Sequence, residues 1–281
     1  LNRQAFERAW QDTIKAHTML RTAFLWDGLE TPLQVVRQEV ELYIPVIEAT
    51  TKQDIEAFLE EDRTSDFALE HAPLMRLRLF QLGPERHHLV WSFHHLISDG
   101  WSTPLLLNEV FQRYESGTPD ISPPPYRTFI DWLQEQNAEE QEAFWRHELE
   151  GFTGPLICPQ TGGQPANSGP VRLEQTFSTA ETQSINEFCR RHRLTPNTVV
   201  LGAWIRVLSQ WCNHSDALLG VTVSGRPADL AGVEHMVGNF INTLPLRFPV
   251  TETTPLIDWL TALQGKLTSL REHEHAALTQ L

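Results

Sequence analysis

The sequence predicts a mixed α/β protein, because segments with the periodicity of strands are interspersed with segments of helical periodicity along the whole chain. Its 281 residues can bury a large core, and 41% hydrophobic with 21% charged residues is ordinary for a globular protein. A stretch rich in glycine and proline interrupts the periodic pattern at 151–170. We therefore expect an N-terminal lobe over 1–150, a linker over 151–170 and a C-terminal lobe over 171–281.

Helices are predicted where apolar residues recur three or four positions apart. In the first such segment Phe6, Trp10 and Ile14 fall on one side. Two later segments begin with a capping threonine followed by proline, at Thr103-Pro104 and at Thr195-Pro196. The pattern predicts helices over 2–19, 51–63, 104–116, 126–136, 138–149, 181–192, 196–212 and 255–272.

Strands are predicted where apolar and polar residues alternate and branched or aromatic residues are frequent. Asp27-Gly28 is typical of the turn of a hairpin, and the turn at 83–86 leads into the strand that ends at Phe93. The pattern predicts strands over 20–26, 33–37, 42–47, 74–82, 87–93, 171–178, 217–223 and 240–248.

Charge and cysteine content exclude several classes of function. The net charge of −14 argues against a nucleic-acid partner, since phosphates require Lys and Arg for neutralisation. Cys158, Cys189 and Cys212 have no CxxC spacing, so neither a disulfide framework nor a structural zinc site is expected. The chain contains no run of 18 apolar residues and no signal-peptide pattern, which predicts a soluble, cytoplasmic protein.

The stretch 91–102, Trp-Ser-Phe-His-His-Leu-Ile-Ser-Asp-Gly-Trp-Ser, carries most of the chemistry that the sequence offers. Two histidines stand where a strand ends, and Asp99 and Gly100 occupy the turn before a helix. Adjacent strand residues point to opposite faces, so His94 and His95 are expected to differ in role. One should be packed, and the other should face a cavity.

This stretch resembles the His-His-x-x-x-Asp-Gly motif of condensation domains from nonribosomal peptide synthetases, members of the chloramphenicol-acetyltransferase-like superfamily. Three further blocks resemble the same family in the same order. They are His17-Thr-Met-Leu-Arg-Thr-Ala-Phe24, the Tyr-x-x-aromatic-x-x-Trp pattern at 126–132, and Gly-Asn-Phe-Ile-Asn-Thr at 238–243.

The resemblance implies two lobes of chloramphenicol-acetyltransferase type, set in a V with a central tunnel. The family's opening motif is missing before Leu1 and the chain stops short of the usual second lobe. We therefore expect a core fragment with an incomplete second lobe. Donor and acceptor peptidyl carrier proteins and an adjoining adenylation domain are the implied partners. The substrates would be carried on the phosphopantetheine of the carrier proteins, with no cofactor or metal bound directly and no membrane partner.

The implied activity is that of an acyltransferase which joins a donor acyl or peptidyl thioester to the amine of an acceptor aminoacyl thioester. His95 is the candidate catalytic residue, either as a base or as the group that positions the amine. Gly100 would let the backbone approach the pantetheine arm and direct its amide at the thioester oxygen. Trp101, Ser102 and Asn242 are expected along the substrate channel.

His94 and Asp99 are expected to support the site without touching substrate. In the superfamily the equivalent aspartate forms a buried ion pair with an arginine. Arg226, just before the Gly-Asn-Phe block, is the first choice for that partner here, and Arg21 is the second.

The sequence is compatible with several alternative functions. The same fold can host epimerisation, acyl transfer from coenzyme A, or a domain that only docks carrier proteins. A histidine metal site is disfavoured, because adjacent histidines on a strand diverge. A serine hydrolase is disfavoured because Ser224 lacks the first glycine of a Gly-x-Ser-x-Gly turn.

Overall fold

Helices and strands alternate in the computed structural model, which confirms the mixed α/β class. The structure describes residues 1–48, 51–117, 123–152 and 173–276. By packing, the chain forms two units, Leu1–Gln136 with Arg226–Ile241, and Asn137–Gly225 with Asn242–Leu281. The predicted lobe boundaries at 150 and 171 stay a prediction. By packing, residues 137–150 group with the second unit and residues 226–241 with the first. Residues 153–170 of the predicted linker lie outside the described residues.

The first unit contains four of the helices and five of the strands that the structure describes. The helices are α1 (Arg3–Ala16), α2 (Lys52–Thr64), α3 (Ser102–Ser116) and α4 (Arg127–Gln134). The strands are β1 (Thr22–Leu25), β2 (Leu33–Val36), β3 (Val46–Glu48), β4 (Met75–Gln81) and β5 (His87–Phe93).

A three-stranded sheet of order β3-β4-β5 determines where the histidine pair lies. β4 and β5 are antiparallel, and their register places Met75 opposite Phe93. On one face of β4, Leu77 and Leu79 are buried in the main core of the unit with Trp10 of α1, as period-two alternation requires. Because β5 ends at Phe93, the two histidines emerge at the edge of this core.

The second unit combines a two-stranded sheet with helices. Its elements are α5 (Ala138–Leu149), α6 (Thr179–His192), α7 (Pro196–Cys212), β6 (Asp216–Val223), β7 (Asn242–Pro249) and α8 (Leu256–Arg271). β6 and β7 are antiparallel. A second core forms around Trp145, Ile205 and Leu263, which are all buried. α7 approaches α8 closely at Gly202, where an added Cβ would lie 2.6 Å from Leu260.

Most predicted elements are present, and their ends move by a few residues. The predicted strand at 171–178 is wrong for 173–178, which form no regular structure; 171 and 172 lie outside the described residues. The helix predicted to start at Thr103-Pro104 begins at Ser102 instead. The Asp99 carboxylate accepts a hydrogen bond from the Ser102 amide at 2.8 Å, which satisfies the first amide of a helix that begins two residues before Pro104.

A buried ionic cluster joins α1 to α3 in the first unit. His17 Nε2 lies 2.6 Å from Glu109 Oε2, and Arg113 donates to Glu109 Oε1 at 2.7 and 2.9 Å. Burial by itself raises the pKa of Glu109, but the hydrogen bonds and charges of His17 and Arg113 outweigh it and lower that pKa overall. The carboxylate form of Glu109 therefore stabilises the folded state.

We expect Glu109→Gln to lower the free energy of unfolding at neutral pH by about 1–3 kcal/mol, as for a charge-assisted hydrogen bond. Since the folded pKa is depressed, this contribution is present above the unfolded pKa and is lost as pH falls through the folded pKa. Urea midpoints between pH 7 and pH 3 should show the difference from wild type shrinking toward acid. Glu115→Gln, an exposed change on the same helix, should leave the midpoint unchanged at every pH. A constant difference across the range would contradict the assignment.

Candidate active site

His94 is the first residue after β5 and is half-buried. Its backbone amide donates to the carbonyl of Leu74 at 2.9 Å, which extends the pairing with the chain before β4. Its Nδ1 accepts from the Leu96 amide at 3.2 Å, so it caps a short 3-10 turn at His95–Ile97. The ring of Phe67 meets the imidazole edge-on, at a centroid distance of 6.2 Å. The side chain of His94 is thus engaged in local structure.

His95 is the first residue of that turn, and its side chain is exposed. Both histidines line a cavity of about 840 Å³ within the first unit. The wall of the cavity includes aromatic rings, carboxylates and two arginines; among the lining residues are Trp26, Asp62, Phe67, Arg76, Trp91 and Phe93. Of the titratable side chains in the motif, His95 is the one that is open to solvent.

Asp99 is almost completely buried, with a relative exposure of 1%. Its Oδ1 accepts from the amide and hydroxyl of Ser102, at 2.8 and 2.7 Å, and its Oδ2 accepts from the Phe240 amide at 3.3 Å. With the guanidinium of Arg226 added, both carboxylate oxygens are fully used. Asp99 is therefore a structural anchor and is not available to act on a substrate.

Arg226 supplies the positive charge for this anchor. Its Nη2 lies 3.2 and 3.3 Å from the two Asp99 oxygens, and its Nη1 donates to the carbonyls of Val233 and Met236 at 2.6 and 3.0 Å. The guanidinium carbon lies 3.9 Å from the ring centroid of Phe240. Burial lowers the pKa of Arg226 while Asp99 raises it. Arg21 instead donates to the backbone of Ile14, Arg37 and Gln38.

Ser102 is placed differently from its prediction as a channel residue. Its side chain is completely buried. Its hydroxyl donates to Asp99 and accepts hydrogen bonds from the Gly238 amide at 3.1 Å and from Arg226 at 3.0 Å. Ser102 thus belongs to the Asp99–Arg226 anchor.

Trp101 and Gly100 remain on the surface of the first unit. Trp101 is 57% exposed, and its indole donates to the carbonyl of Glu234 at 3.2 Å. Gly100 is exposed, and a Cβ built there would meet nothing within 4 Å. Asn242 starts β7 in the second unit, where its amide donates to the carbonyls of Glu274 and Ala276 at 2.8 and 2.7 Å.

Tyr126 is a supporting residue whose role the sequence did not reveal. Its hydroxyl donates to the carbonyl of Asn239 at 2.6 Å, and its ring packs against Gly238 and Phe240. Burial, with the charge of Asp99, raises the pKa of Tyr126 to about 12, so the hydroxyl stays protonated. The signal was present in the aromatic block at 126–132, but the block does not say which segment the ring meets.

The described ranges offer neither a metal cluster nor a membrane span. In that part of the chain, no three His, Cys, Asp or Glu side chains come together as a metal site would require. The helices described there include none that is both long and apolar enough to span a membrane.

The histidine motif, the buried anchor and the three other blocks coincide with one protein family. The family model described as "Condensation domain" matches residues 1–281. This chain belongs to the condensation domain family. The resemblance predicted from the four sequence blocks is thereby confirmed, as is the acyltransferase class of that family in nonribosomal peptide synthetases.

Relatives agree with this assignment, and solved structures share the fold. A linear gramicidin synthase polypeptide of Brevibacillus parabrevis is 38% identical over 291 residues, which covers 99% of this chain and 6% of that protein. The chain therefore spans a small part of the length of the curated relatives it matches. The condensation domain of the Monacolin K polyketide synthase MokA superposes with a TM-score of 0.82 at 20% identity, over 98% of this chain and 66% of that one. The X-domain from teicoplanin biosynthesis, solved in complex with OxyB, has a TM-score of 0.80 at 22% identity, over 99% and 64%.

Proposed function

We propose that this condensation domain forms an amide bond between a donor acyl or peptidyl thioester and the amine of an acceptor aminoacyl thioester. The observation that carries the proposal is the exposed imidazole of His95, which lines a cavity. The loop that carries His95 is held in place by the buried ion pair of Asp99 and Arg226. The family membership supports the reaction class.

The chemistry needs one proton acceptor and good positioning. The neutral amine attacks the thioester carbonyl carbon, the new C–N bond forms and the C–S bond breaks. His95 either accepts the proton that leaves the nitrogen or holds the amine by a hydrogen bond, and the proton ends on the departing thiolate. A positioned acid–base group typically contributes ~10²–10⁴-fold, and orientation of two tethered reactants can contribute more.

The other candidate site residues would act around this imidazole. Gly100 offers an exposed backbone with free space, which suits the passage of a thioester arm and an amide directed at its oxygen. Trp101 presents an exposed indole for the arm to pack against. Asn242 is proposed to support the substrate channel through the backbone that it braces.

Phosphopantetheine arms of donor and acceptor carrier proteins are the proposed substrate carriers. An adenylation domain that loads the acceptor is the proposed neighbour. Both are implied by the resemblance to condensation domains of nonribosomal peptide synthetases, and two of the similar proteins are linear gramicidin synthase subunits.

His95→Ala should lower the rate of dipeptide formation by ~10²–10⁴-fold. Two carrier proteins are loaded with aminoacyl-pantetheine, mixed with the protein, and followed by mass spectrometry of the dipeptidyl product. His88→Ala, an exposed histidine on β5, is the matched control and should retain the wild-type rate. Equal rates for His95→Ala and wild type would remove His95 from the mechanism.

Two other outcomes would replace the proposal. Inversion at Cα of a loaded amino acid without a new amide would indicate epimerisation. Binding of carrier proteins with both substrates left intact would indicate a docking domain. The second outcome has a motivation in the fold, since the X-domain of the same fold was solved in complex with OxyB. The exposed His95 and the complete anchor favour catalysis.

A further inference from the structure

Arg76 on β4 is the centre of a polar network next to the histidine pair. Its guanidinium donates to the carbonyls of Asp62, Ser65 and Asp66 at 3.2, 2.9 and 3.3 Å. These carbonyls lie at the C-terminal end of α2 and just beyond it, where helix carbonyls have no intrahelical partner. Arg76 therefore fixes the segment that leaves α2 against the sheet.

A carboxylate joins the same network to β5. Asp62 Oδ1 lies 3.0 Å from Arg76 Nε, and Asp62 Oδ2 accepts from the hydroxyl of Ser92. Ser92 is directly opposite Arg76 in the register of β4 and β5 and stands two residues before His94. The end of α2, β4 and the end of β5 are thus connected by an ion pair and by a hydrogen bond to a carboxylate. Hydrogen bonds with one charged partner are the stronger kind.

Phe67 links the network around Arg76 to His94. The guanidinium carbon of Arg76 lies 4.1 Å from the centroid of the Phe67 ring, close enough for a cation–π contact. The same ring meets His94 edge-on, at an interplanar angle of 85°. Phe67 is therefore in contact with Arg76 and with His94.

We propose that Arg76 is a positioning residue for the condensation reaction, acting through Phe67 and His94 on His95. Phe67 limits the rotation of the His94 imidazole, and this keeps Nδ1 directed at the Leu96 amide. That hydrogen bond caps the 3-10 turn that begins at His95. Loss of Arg76 releases the segment 65–67, frees the ring of Phe67 and lets the His94 cap rotate away, so that His95 loses its fixed direction.

Arg78 is a matched control on the same strand and the same face, two residues along. It is half-buried like Arg76, and its guanidinium carbon lies 5.9 Å from the ring centroid of Phe58, an aromatic contact of the same type. It donates to the carbonyl of Leu77 at 3.0 Å. Removal of Arg78 therefore tests the loss of a charged side chain near an aromatic ring, away from the histidines.

The kinetic test rests on the proposed function. Arg76→Ala should lower kcat for dipeptide formation by ~10- to 100-fold with KM changed less than ~threefold, because a misdirected catalytic group costs rate more than binding. Arg78→Ala should keep kcat within ~twofold. A role of Arg76 in stability alone would reduce the amount of folded protein and leave kcat per folded molecule unchanged, which would overturn the inference.

A second variant keeps the test valid if Arg76→Ala does not fold. Phe67→Leu retains every hydrogen bond of Arg76 and removes the edge-on ring contact with His94. We expect its kcat to fall by ~3- to 10-fold. A wild-type kcat in Phe67→Leu would remove the proposed route through His94.

The tautomer of His94 is a measurement that does not depend on activity. Because Nδ1 accepts from Leu96, neutral His94 should carry its proton on Nε2, which ¹⁵N spectra of histidine-labelled protein report directly. Arg76→Ala should mix the two tautomers, and Arg78→Ala should not. If wild-type protein forms no dipeptide, the proposed function fails, and this measurement still decides the positioning role. An unchanged His94 spectrum in Arg76→Ala would reject that role.

Discussion

Replacing Asp99 by alanine should lower the free energy of unfolding by about 3–5 kcal/mol, because it leaves a buried arginine without its charge partner. The side chains of Arg226 and Asp99 are 6% and 1% exposed, so water cannot replace the lost carboxylate. The amides of Ser102 and Phe240 lose their acceptor in the same step. Asp99 is therefore expected to be among the most sensitive polar positions in the first unit.

The measurement is a urea titration followed by tryptophan fluorescence, with dipeptide formation recorded on the same samples. Asp12→Ala, which removes an exposed carboxylate from α1, should leave the midpoint unchanged. Turnover should fall together with stability in Asp99→Ala, since the released loop carries His95. A midpoint equal to that of wild type would show that Asp99 and Arg226 do not form the anchor in solution.

A double variant separates the unpaired charge from the lost contacts. Arg226→Met removes the guanidinium and leaves a flexible apolar side chain next to Phe240. When it is added to Asp99→Ala, the loss of stability should be smaller than the sum of the two single losses, because no buried charge remains unpaired. Additive losses would mean that the two residues contribute independently.

The sequence predicted the parts of the site that depend on local spacing. The two adjacent histidines were expected to differ in role, and the structure shows His94 engaged in local structure and His95 exposed, although both line the same cavity. The choice of Arg226 over Arg21 rested on the family resemblance, because 127 residues separate Arg226 from Asp99. Periodicity carries no information about contacts at that distance.

Other features depend on contacts that no local pattern encodes. Ser102 was expected in the substrate channel from its neighbours, yet its hydroxyl is buried by Gly238 and Arg226 from a distant segment. The helix starts at Ser102 and not at Pro104, because the Ser102 amide donates to Asp99, which is itself paired with Arg226. Arg76 has alternating neighbours typical of a solvated strand position, and only the fold brings the end of α2 to it.

Two glycines in the motif blocks should respond differently to replacement by alanine: Gly238→Ala should lose stability, and Gly100→Ala should lose activity. A Cβ at Gly238 would lie 2.2 and 2.4 Å from atoms of the Tyr126 ring. That ring is buried and held by the bond of its hydroxyl to Asn239, so it cannot move aside freely. We expect Gly238→Ala to lower the free energy of unfolding by about 1–3 kcal/mol, the usual cost of overpacking. Thermal unfolding of the purified variant measures it.

Gly100→Ala tests whether the thioester arm of the substrate passes over this residue. Nothing within 4 Å meets the new Cβ, so stability should change by less than about 0.5 kcal/mol. If the thioester arm passes over this backbone, the same methyl group clashes with the arm in the complex. A clash of about 1–3 kcal/mol corresponds to a loss of ~5- to 150-fold in kcat/KM. Full activity in Gly100→Ala would place the arm elsewhere, and lowered stability would show that Gly100 is needed by the fold rather than by the substrate.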